Sequence, residues 1–271
     1  MFIIQGVMMK TVLTIAGVDP FGGSGMQADI KTITAHKVYA LSAVTLLTVQ
    51  NTKEFLGGQA VGIDFLENQV DKIYEDVEAD AVKTGMLLTS DIIRKVADLA
   101  KKHKFKNFVV DPVMMSYKTI KLIDDQAIET LLEELIPLAY VITPNAGETE
   151  ILAGIKINNK EDMLKAAEII YKKYKVNVLT KSDLSDGDAD DLLYTEEGAL
   201  WLKGEKIDTK NVKGTGDTLS SALASNLAKG YCLKDSAIMA KRFVSKALES
   251  NLQIGGGKGP IDHMFDIKGI Y

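Results

Sequence analysis

The residues best suited to chemistry are Gly214, Thr215, Gly216 and Asp217, which lie between a strand-like segment and a helical run. Glycines ahead of a helix let the backbone turn tightly and point free amide groups at one spot, where the helix dipole also favours an anion. A carboxylate in the first helical turn can accept the proton of a substrate hydroxyl while the amides stabilise a transferred phosphoryl group. A glycine turn followed by an ordinary helix cap explains the pattern equally well, so the local sequence leaves both interpretations open.

A second glycine-rich loop, AGVDPFGGSG at residues 16–25, follows the first predicted strand. Its four glycines, beginning with Gly17, allow a ligand to approach the main chain closely. The loop matches neither G-x-x-x-x-G-K-[ST] nor G-x-G-x-x-G, so it lacks the motifs of P-loop NTPases and of dinucleotide-binding proteins. A flexible turn is the alternative interpretation.

Polar residues also follow later strands. Asp111 ends an apolar strand, where a charge is costly unless it is paired or faces a site, so a role near a metal or phosphate is plausible. Asn145 with Glu148 three residues later is typical of a capping box, and the alternative is an oxygen pair near Mg²⁺. A polar Gln50 and the apolar Met86 and Val113 could frame a small flat ring.

The elements that must position these loops alternate between short β-rich and helical runs. Predicted strands span residues 12–16, 43–49, 81–83, 108–110, 141–143 and 176–180, and helices are predicted at 215–229 and 233–252. Residues 190–202 predict a hairpin, and Asn158 followed by Glu161 predicts the start of a helix that runs to about Tyr174. The alternation predicts an α/β fold with three α/β/α layers and a mostly parallel central sheet, in which ligands bind beyond the carboxyl ends of the strands.

Composition limits the other possibilities. The 271 residues carry a net charge of −5, which argues against nucleic acid as a main partner, and the single Cys232 excludes an internal disulfide. No apolar run reaches the roughly 18 residues of a membrane helix, so we expect no membrane partner and a cytoplasmic location. Without repeats or linkers, a single domain over residues 1–271 is expected.

Taken together, these loops resemble the ribokinase-like superfamily and, more narrowly, its hydroxymethylpyrimidine/phosphomethylpyrimidine kinases. The matching segments are LTIAGVDPFGGSGMQADIKT, TVQNT, VKTGM, VVDPVM, VITPNAGE, IDTKNVKGTGDTLSSALASNLAKG and GGGKGPIDH, which span residues 11–263. Any one segment is weakly specific, but their order and spacing together are highly specific for the family.

The resemblance implies an ATP- and Mg²⁺-dependent homodimer that phosphorylates a hydroxymethylpyrimidine and then its monophosphate in thiamine biosynthesis. It implies that Asp217 is the catalytic base and that Gly214, Thr215 and Gly216 complete the anion hole. The other implied roles are pyrimidine contacts from Gly17, Asp29, Gln50, Met86 and Val113; nucleotide contacts from Lys181, Thr209, Asn145 and Glu148; and Mg²⁺ contacts from Asp111 and Glu148.

Two segments depart from the family pattern. Aspartate stands at position 217, where hydroxymethylpyrimidine kinases usually carry cysteine and many vitamin B6 kinases carry aspartate. Ser182-Asp183-Leu184 follows Lys181 in place of the usual Gly-Gly-His. A vitamin B6 kinase or a dual-substrate enzyme is therefore the alternative, although the Gln-Asn-Thr at residues 50–52 favours the pyrimidine.

Overall fold

The computed structural model describes residues 9–116, 120–181 and 189–267. Its strands are β1 (Thr11–Val18), β2 (Tyr39–Gln50), β3 (Phe55–Ala60), β4 (Ala81–Thr84), β5 (Val109–Val110), β6 (Met115–Ser116), β7 (Ile120–Lys121), β8 (Val141–Ile142), β9 (Asn177–Thr180), β10 (Asp191–Thr195) and β11 (Gly198–Leu202). Its α-helices are α1 (Gly25–Ala35), α2 (Ile63–Tyr74), α3 (Ser90–His103), α4 (Asp125–Thr130), α5 (Ala146–Ala153), α6 (Lys160–Tyr174), α7 (Thr215–Ala228) and α8 (Leu233–Glu249). A π-helical turn (Leu131–Leu135) and a 3-10 turn (Ile136–Leu138) follow α4.

Within the described residues, nine strands form one sheet in the order β11-β10-β9-β8-β5-β4-β1-β2-β3. Pairing is parallel from β9 through to β2 and antiparallel at both edges. The predicted hairpin is present as β10 and β11, and it continues the main sheet beyond β9. The edge strand β3 was not predicted, because Gly57 and Gly58 weaken its strand pattern.

Alternation along the strands divides the core into two faces. Val12 and Ala81 pack with α1, α7 and α8, whereas Leu13 and Val82 pack with the helices on the other face. The sheet therefore lies between two helical layers, as predicted. Lys83 is two residues beyond Ala81 and points to the same face, toward α1 and α7.

Some helix boundaries differ from the prediction. Helix α6 is capped by Asn159, whose side chain accepts from the amide of Asp162, so the predicted cap at Asn158 and Glu161 is wrong by one residue. Both pairs have residue types that fit a cap, so sequence could not separate them. Helix α8 ends at Glu249 rather than 252. None of the helices among the described residues is long and apolar enough to span a membrane.

Candidate active site

The first turn of α7 forms the centre of the site. Gly214 precedes it in a left-handed conformation (φ 84°), and a Cβ there would lie 2.0 Å from the carbonyl oxygen of Gly23. Only glycine therefore allows this turn to meet the first glycine-rich loop so closely. The amides that open a helix have no partner within it, so this turn offers donors to an anion. Asp217 lies in the same turn with its side chain 19% exposed.

The first glycine-rich loop is organised by Asp19, which sequence analysis did not single out. Its buried carboxylate accepts from the amides of Phe21, Gly23 and Ser24, at 2.9, 3.1 and 2.9 Å, and from the Ser24 hydroxyl. An aspartate that bonds to following amides is a recognised turn device, and the Asp19-Pro20 pair was the available signal. The loop is therefore a fixed part of the site rather than a flexible turn.

A buried ion pair lies directly beneath Asp217. The Lys83 Nζ is 2.6 Å from Asp29 Oδ1 and 3.7 Å from Asp217 Oδ1. Asp29 also accepts from the hydroxyls of Thr14 and Ser221, at 2.6 and 2.7 Å. Both carboxylate oxygens of Asp29 thus have protein partners, and the residue has no exposed surface. The expectation that Asp29 contacts the pyrimidine is corrected, because its carboxylate faces the core.

Burial governs the protonation of this pair. Burial raises the pKa of Asp29 to about 6, although Lys83 acts in the opposite sense. For Lys83, burial alone would lower the pKa, but Asp29, Asp217 and Asp111 outweigh it and raise the pKa. At neutral pH the pair is therefore a carboxylate and an ammonium.

A second ion pair lies on the other side of the same turn. Lys181 Nζ is 3.0 Å from Asp111 Oδ1, which also accepts from the Thr143 hydroxyl at 3.1 Å. Among the described residues, Asp111 Oδ2 has a single long hydrogen-bond contact, at 3.5 Å, from the Ser220 hydroxyl. A Cβ on Gly216 would lie 3.1 Å from Lys181 Nζ and 3.7 Å from Asp111 Oδ2. The sequence-predicted residues Asp111, Lys181 and Gly216 are thus brought together.

Glu148 and Asn145 form the predicted capping box at the start of α5, with each side chain accepting from the other's amide at 2.8 and 2.9 Å. Glu148 also accepts from the amide of Met114 at 3.1 Å. Burial raises the pKa of Glu148 to about 7, since it outweighs the opposing effect of Lys181. Capping is therefore established for this pair, and Glu148 is in addition a buried carboxylate in the electrostatic field of Asp111 and Lys181.

The residues expected around the pyrimidine surround the same edge. The Gln50 side chain accepts from Lys213 Nζ at 2.7 Å and donates to the Thr48 hydroxyl, so its amide orientation is fixed. A Cβ on Gly17 would lie 2.7 Å from Leu46, so glycine is needed for this packing. Met86 and Val113 are partly exposed, and Val113 lines a small cavity of about 10 Å³ together with Gly85 and Asp111.

A larger groove of about 800 Å³ lies between β11 and α8. Trp201, Ile207, Ile238 and Arg242 are among the side chains that line it. The hydroxyl of Thr209 contacts Asn251 at 3.4 Å and the amide of Asn211 at 3.2 Å, and its expected contact with the nucleotide stays a prediction. The Ser182–Leu184 departure lies outside the described residues.

Two lysines of the site were not singled out by sequence analysis. Lys83 is buried by contacts with residues far away in the chain, which leave no local signal. Lys213, just before Gly214, places its Nζ near Gln50, the carbonyl oxygen of Asn51 (3.2 Å) and Asp19 (3.7 Å). Its position next to Gly214 in the sequence could have indicated that Lys213 belongs to the site.

Comparisons with known proteins show the family to which this chain belongs. The family described as phosphomethylpyrimidine kinase matches residues 19–262. A protein of Bacillus subtilis named hydroxymethylpyrimidine/phosphomethylpyrimidine kinase is 40% identical over 253 residues, which cover 93% of each chain. A solved phosphomethylpyrimidine kinase from Clostridium difficile 630 is 38% identical with a TM-score of 0.80, covering 88% of this chain and 99% of that one.

A pyridoxal kinase from Staphylococcus aureus, solved in complex with AMP-PCP and pyridoxal, is 33% identical with a TM-score of 0.86. The match covers 94% of this chain and 93% of that one. The predicted ribokinase-like fold and the predicted kinase activity are therefore confirmed. The chain is an enzyme of the phosphomethylpyrimidine kinase family.

Proposed function

We propose that this enzyme transfers the γ-phosphoryl group of ATP to the hydroxymethyl oxygen of 4-amino-5-hydroxymethyl-2-methylpyrimidine, and then to the monophosphate so formed, in thiamine biosynthesis. The observation that carries the proposal is the partly exposed Asp217 carboxylate in the first turn of α7, beside the amides that follow Gly214. The family membership and the 40% identical relative support the choice of substrate.

In the first reaction, Asp217 accepts the hydroxyl proton as the oxygen attacks the γ-phosphorus and ADP leaves with the bridging oxygen. The amides of the α7 turn stabilise the charge on the phosphoryl oxygens. In the second reaction the acceptor is a phosphate oxygen, which is largely deprotonated above about pH 6. A general base therefore has less to do in that step.

Replacing Asp217 tests this assignment. We expect Asp217→Asn to lower the kcat of the first phosphorylation by about 10²–10⁴-fold, because only the proton acceptor is removed. The second phosphorylation, assayed separately with the monophosphate at pH 8, should lose much less. Unchanged turnover of the alcohol would place the base elsewhere. A matched control is Asp262→Asn, a carboxylate that bonds Ser250 and the amide of Met264 at the surface.

ATP is the second substrate, and we place its polyphosphate over the α7 turn with Lys181 as a cation. Its base occupies the 800 Å³ groove between β11 and α8, where Trp201 and Ile238 offer apolar walls. Saturation of Trp201 fluorescence quenching by ATP, and its loss in Ile238→Glu, would support this placement. An unaltered ATP affinity in Ile238→Glu would contradict it.

Asp111 and Glu148 fit a Mg²⁺ ion held jointly with the nucleotide. Among the described residues no group of three or more Asp, Glu, His or Cys side chains could hold a metal. Mg²⁺ at nucleotides usually takes only one or two carboxylates, with phosphate oxygens and water as the other ligands. The weakly contacted Asp111 Oδ2 and the buried Glu148 suit that arrangement. When bound, the ion would neutralise phosphate oxygens during transfer.

Vitamin B6 is the second candidate substrate. The likeness to the pyridoxal kinase of Staphylococcus aureus favours it, as does the aspartate at position 217. Consumption of ATP should be compared side by side with the hydroxymethylpyrimidine, its monophosphate and pyridoxal. Predominant turnover of pyridoxal would replace the first proposal with the second.

A second copy of the chain is proposed to cover the β2–β3 edge of the sheet, giving a cytoplasmic homodimer. Large apolar side chains are exposed there, namely Leu47, Val49, Phe55, Leu56 and, from α2, Phe65. An apolar edge strand of this kind associates unless it is covered. Light scattering should show a dimer that Leu56→Glu converts to a monomer, whereas the distant exposed Tyr231→Glu should remain a dimer. A monomeric wild type at micromolar concentration would contradict this.

A further inference from the structure

Lys83 is a large, fully buried side chain in the middle of the sheet, on β4 between β1 and β5. Removing an ammonium group from water is costly unless good partners compensate for it. An apolar side chain of similar size could fill the same volume in the core. A lysine at this position therefore points to a use for its charge.

Asp29 anchors the ammonium rigidly. Its Oδ1 accepts from Lys83 Nζ and from the Ser221 hydroxyl, and its Oδ2 accepts from the Thr14 hydroxyl. These partners come from β4, α7 and β1, so three elements fix the carboxylate and, through it, the position of Nζ.

The ammonium group extends from this anchor toward the site. Its next carboxylate is Asp217, whose Oδ1 lies 3.7 Å from Nζ, within ion-pair range but longer than a hydrogen bond. Gly85 leaves the space that Nζ occupies, because a Cβ there would come within 3.2 Å of it. Asp217 thus has a fixed positive charge on its inner side, while 19% of its side chain remains exposed.

We propose that Lys83 is a positioning residue which, anchored by Asp29, holds the Asp217 carboxylate in the orientation that accepts the proton of the substrate alcohol. This inference rests on the proposed role of Asp217 as general base. During the reaction the proton passes from the alcohol to Asp217, the oxygen bonds to phosphorus, and ADP departs with the electrons of the broken bond. Lys83 itself exchanges no proton and stays charged throughout.

A lysine that orients the base should affect turnover rather than binding. We expect Lys83→Met to lower kcat with the alcohol by about 100-fold while KM for ATP and for the pyrimidine changes less than about threefold. Because this variant leaves Asp29 uncompensated, the Lys83→Met/Asp29→Asn double variant removes both charges and should show the same loss. Thr14→Val, which removes a hydrogen bond to Asp29 and no charge, should lose less than about fivefold.

A double-mutant cycle with Asp217→Asn separates this role from a general loss of structure. If Lys83 acts through Asp217, Lys83→Met/Asp29→Asn should add little to the defect of Asp217→Asn. A fully additive loss, a loss confined to KM, or wild-type kcat in the folded double variant would overturn the inference. Full turnover by Asp217→Asn alone would defeat the base assignment. An inactive Asp217→Asn beside an active Lys83 variant would leave the proposed function standing and remove only the role of Lys83.

Discussion

Two lysine–carboxylate clusters flank the first turn of α7, and they differ in how far they are closed to water. The sealed cluster is the pair of Lys83 and Asp29, neither of which has exposed surface, and it lies beneath the partly exposed Asp217. The open cluster is Lys181, Asp111 and Glu148, in which Lys181 is 17% exposed. In each, a glycine leaves room for the ammonium group, Gly85 in the sealed cluster and Gly216 in the open one.

In the proposed reaction, this difference corresponds to two separate tasks. In the sealed cluster the carboxylate of Asp29 is saturated by protein donors, so its charges can only fix the geometry of Asp217. In the open cluster, Lys181 compensates two carboxylates, and burial leaves the pKa of Glu148 near 7. One ammonium beside two carboxylates suits a site completed by a ligand cation, which would favour the ionised form of Glu148.

The largest effect is expected from removing the cation of the open cluster. Lys181→Met should lower kcat/KM for ATP at least about 100-fold, equivalent to about 3 kcal/mol, because Asp111 and Glu148 then repel the polyphosphate. Unlike Lys83→Met, it should act strongly on the KM for ATP. Steady-state kinetics with varied ATP measures this.

Lys172→Met is the matched control, because Lys172 forms an exposed pair with Glu168 on α6. We expect its kinetics to stay within about twofold of wild type, since exposed ion pairs contribute little. An unchanged KM for ATP in Lys181→Met would contradict the assignment of ATP binding to the open cluster.

Smaller effects are expected from replacing the two glycines, and the two replacements should affect different properties: stability for Gly85 and ATP binding for Gly216. In Gly85→Ala the new methyl would also meet the buried Cβ of Ala16 at 3.1 Å, so we expect a destabilisation of about 1–3 kcal/mol. In Gly216→Ala the methyl meets the flexible end of Lys181, which can move, while alanine favours the helix by about 0.5–1 kcal/mol. Stability should therefore be close to wild type, with a several-fold higher KM for ATP.

Urea unfolding of both variants, followed by kinetics with varied ATP, measures this contrast. Equal stability losses in Gly85→Ala and Gly216→Ala would show that the sealed cluster is no less adaptable than the open one.

The parts of this site that sequence predicted are those set by local pattern. Apolar runs located the parallel strands, whose carboxyl ends lie at one edge of the sheet. The sequence could therefore predict that Asp111, Lys181 and the α7 turn lie close together. The capping box of Asn145 and Glu148 is likewise contained within four residues. The order and spacing of the motifs were sufficient to identify the family.

The parts that sequence missed depend on contacts between distant residues. The Asp29 side chain meets Lys83 across 54 positions and Ser221 across 192, and no spacing rule links them. Their burial turned an expected ligand contact into a structural anchor. The edge strand β3 escaped prediction because pairing with β2, rather than its own propensity, forms it.

The remaining expected effect concerns pH and the buried Glu148. A carboxyl whose pKa is raised in the folded state binds protons more tightly there, so stability is greatest below its unfolded pKa of 4.5 and falls as pH rises to about 7. Glu148→Gln should remove its share of this fall, up to about 3 kcal/mol, although its neutral side chain is a weaker acceptor in the capping box and shifts the whole curve downward. The slope of the unfolding free energy against pH between 4.5 and 7 therefore separates the effect of the Glu148 charge from its effect on helix capping.

Asp29 causes a similar fall in stability between pH 3.8 and 6, and this fall should persist in Glu148→Gln. The surface variant Glu168→Gln should keep the wild-type slope. An equally steep slope in Glu148→Gln would contradict a raised pKa for Glu148 and would mean that its buried carboxylate is already compensated by its neighbours.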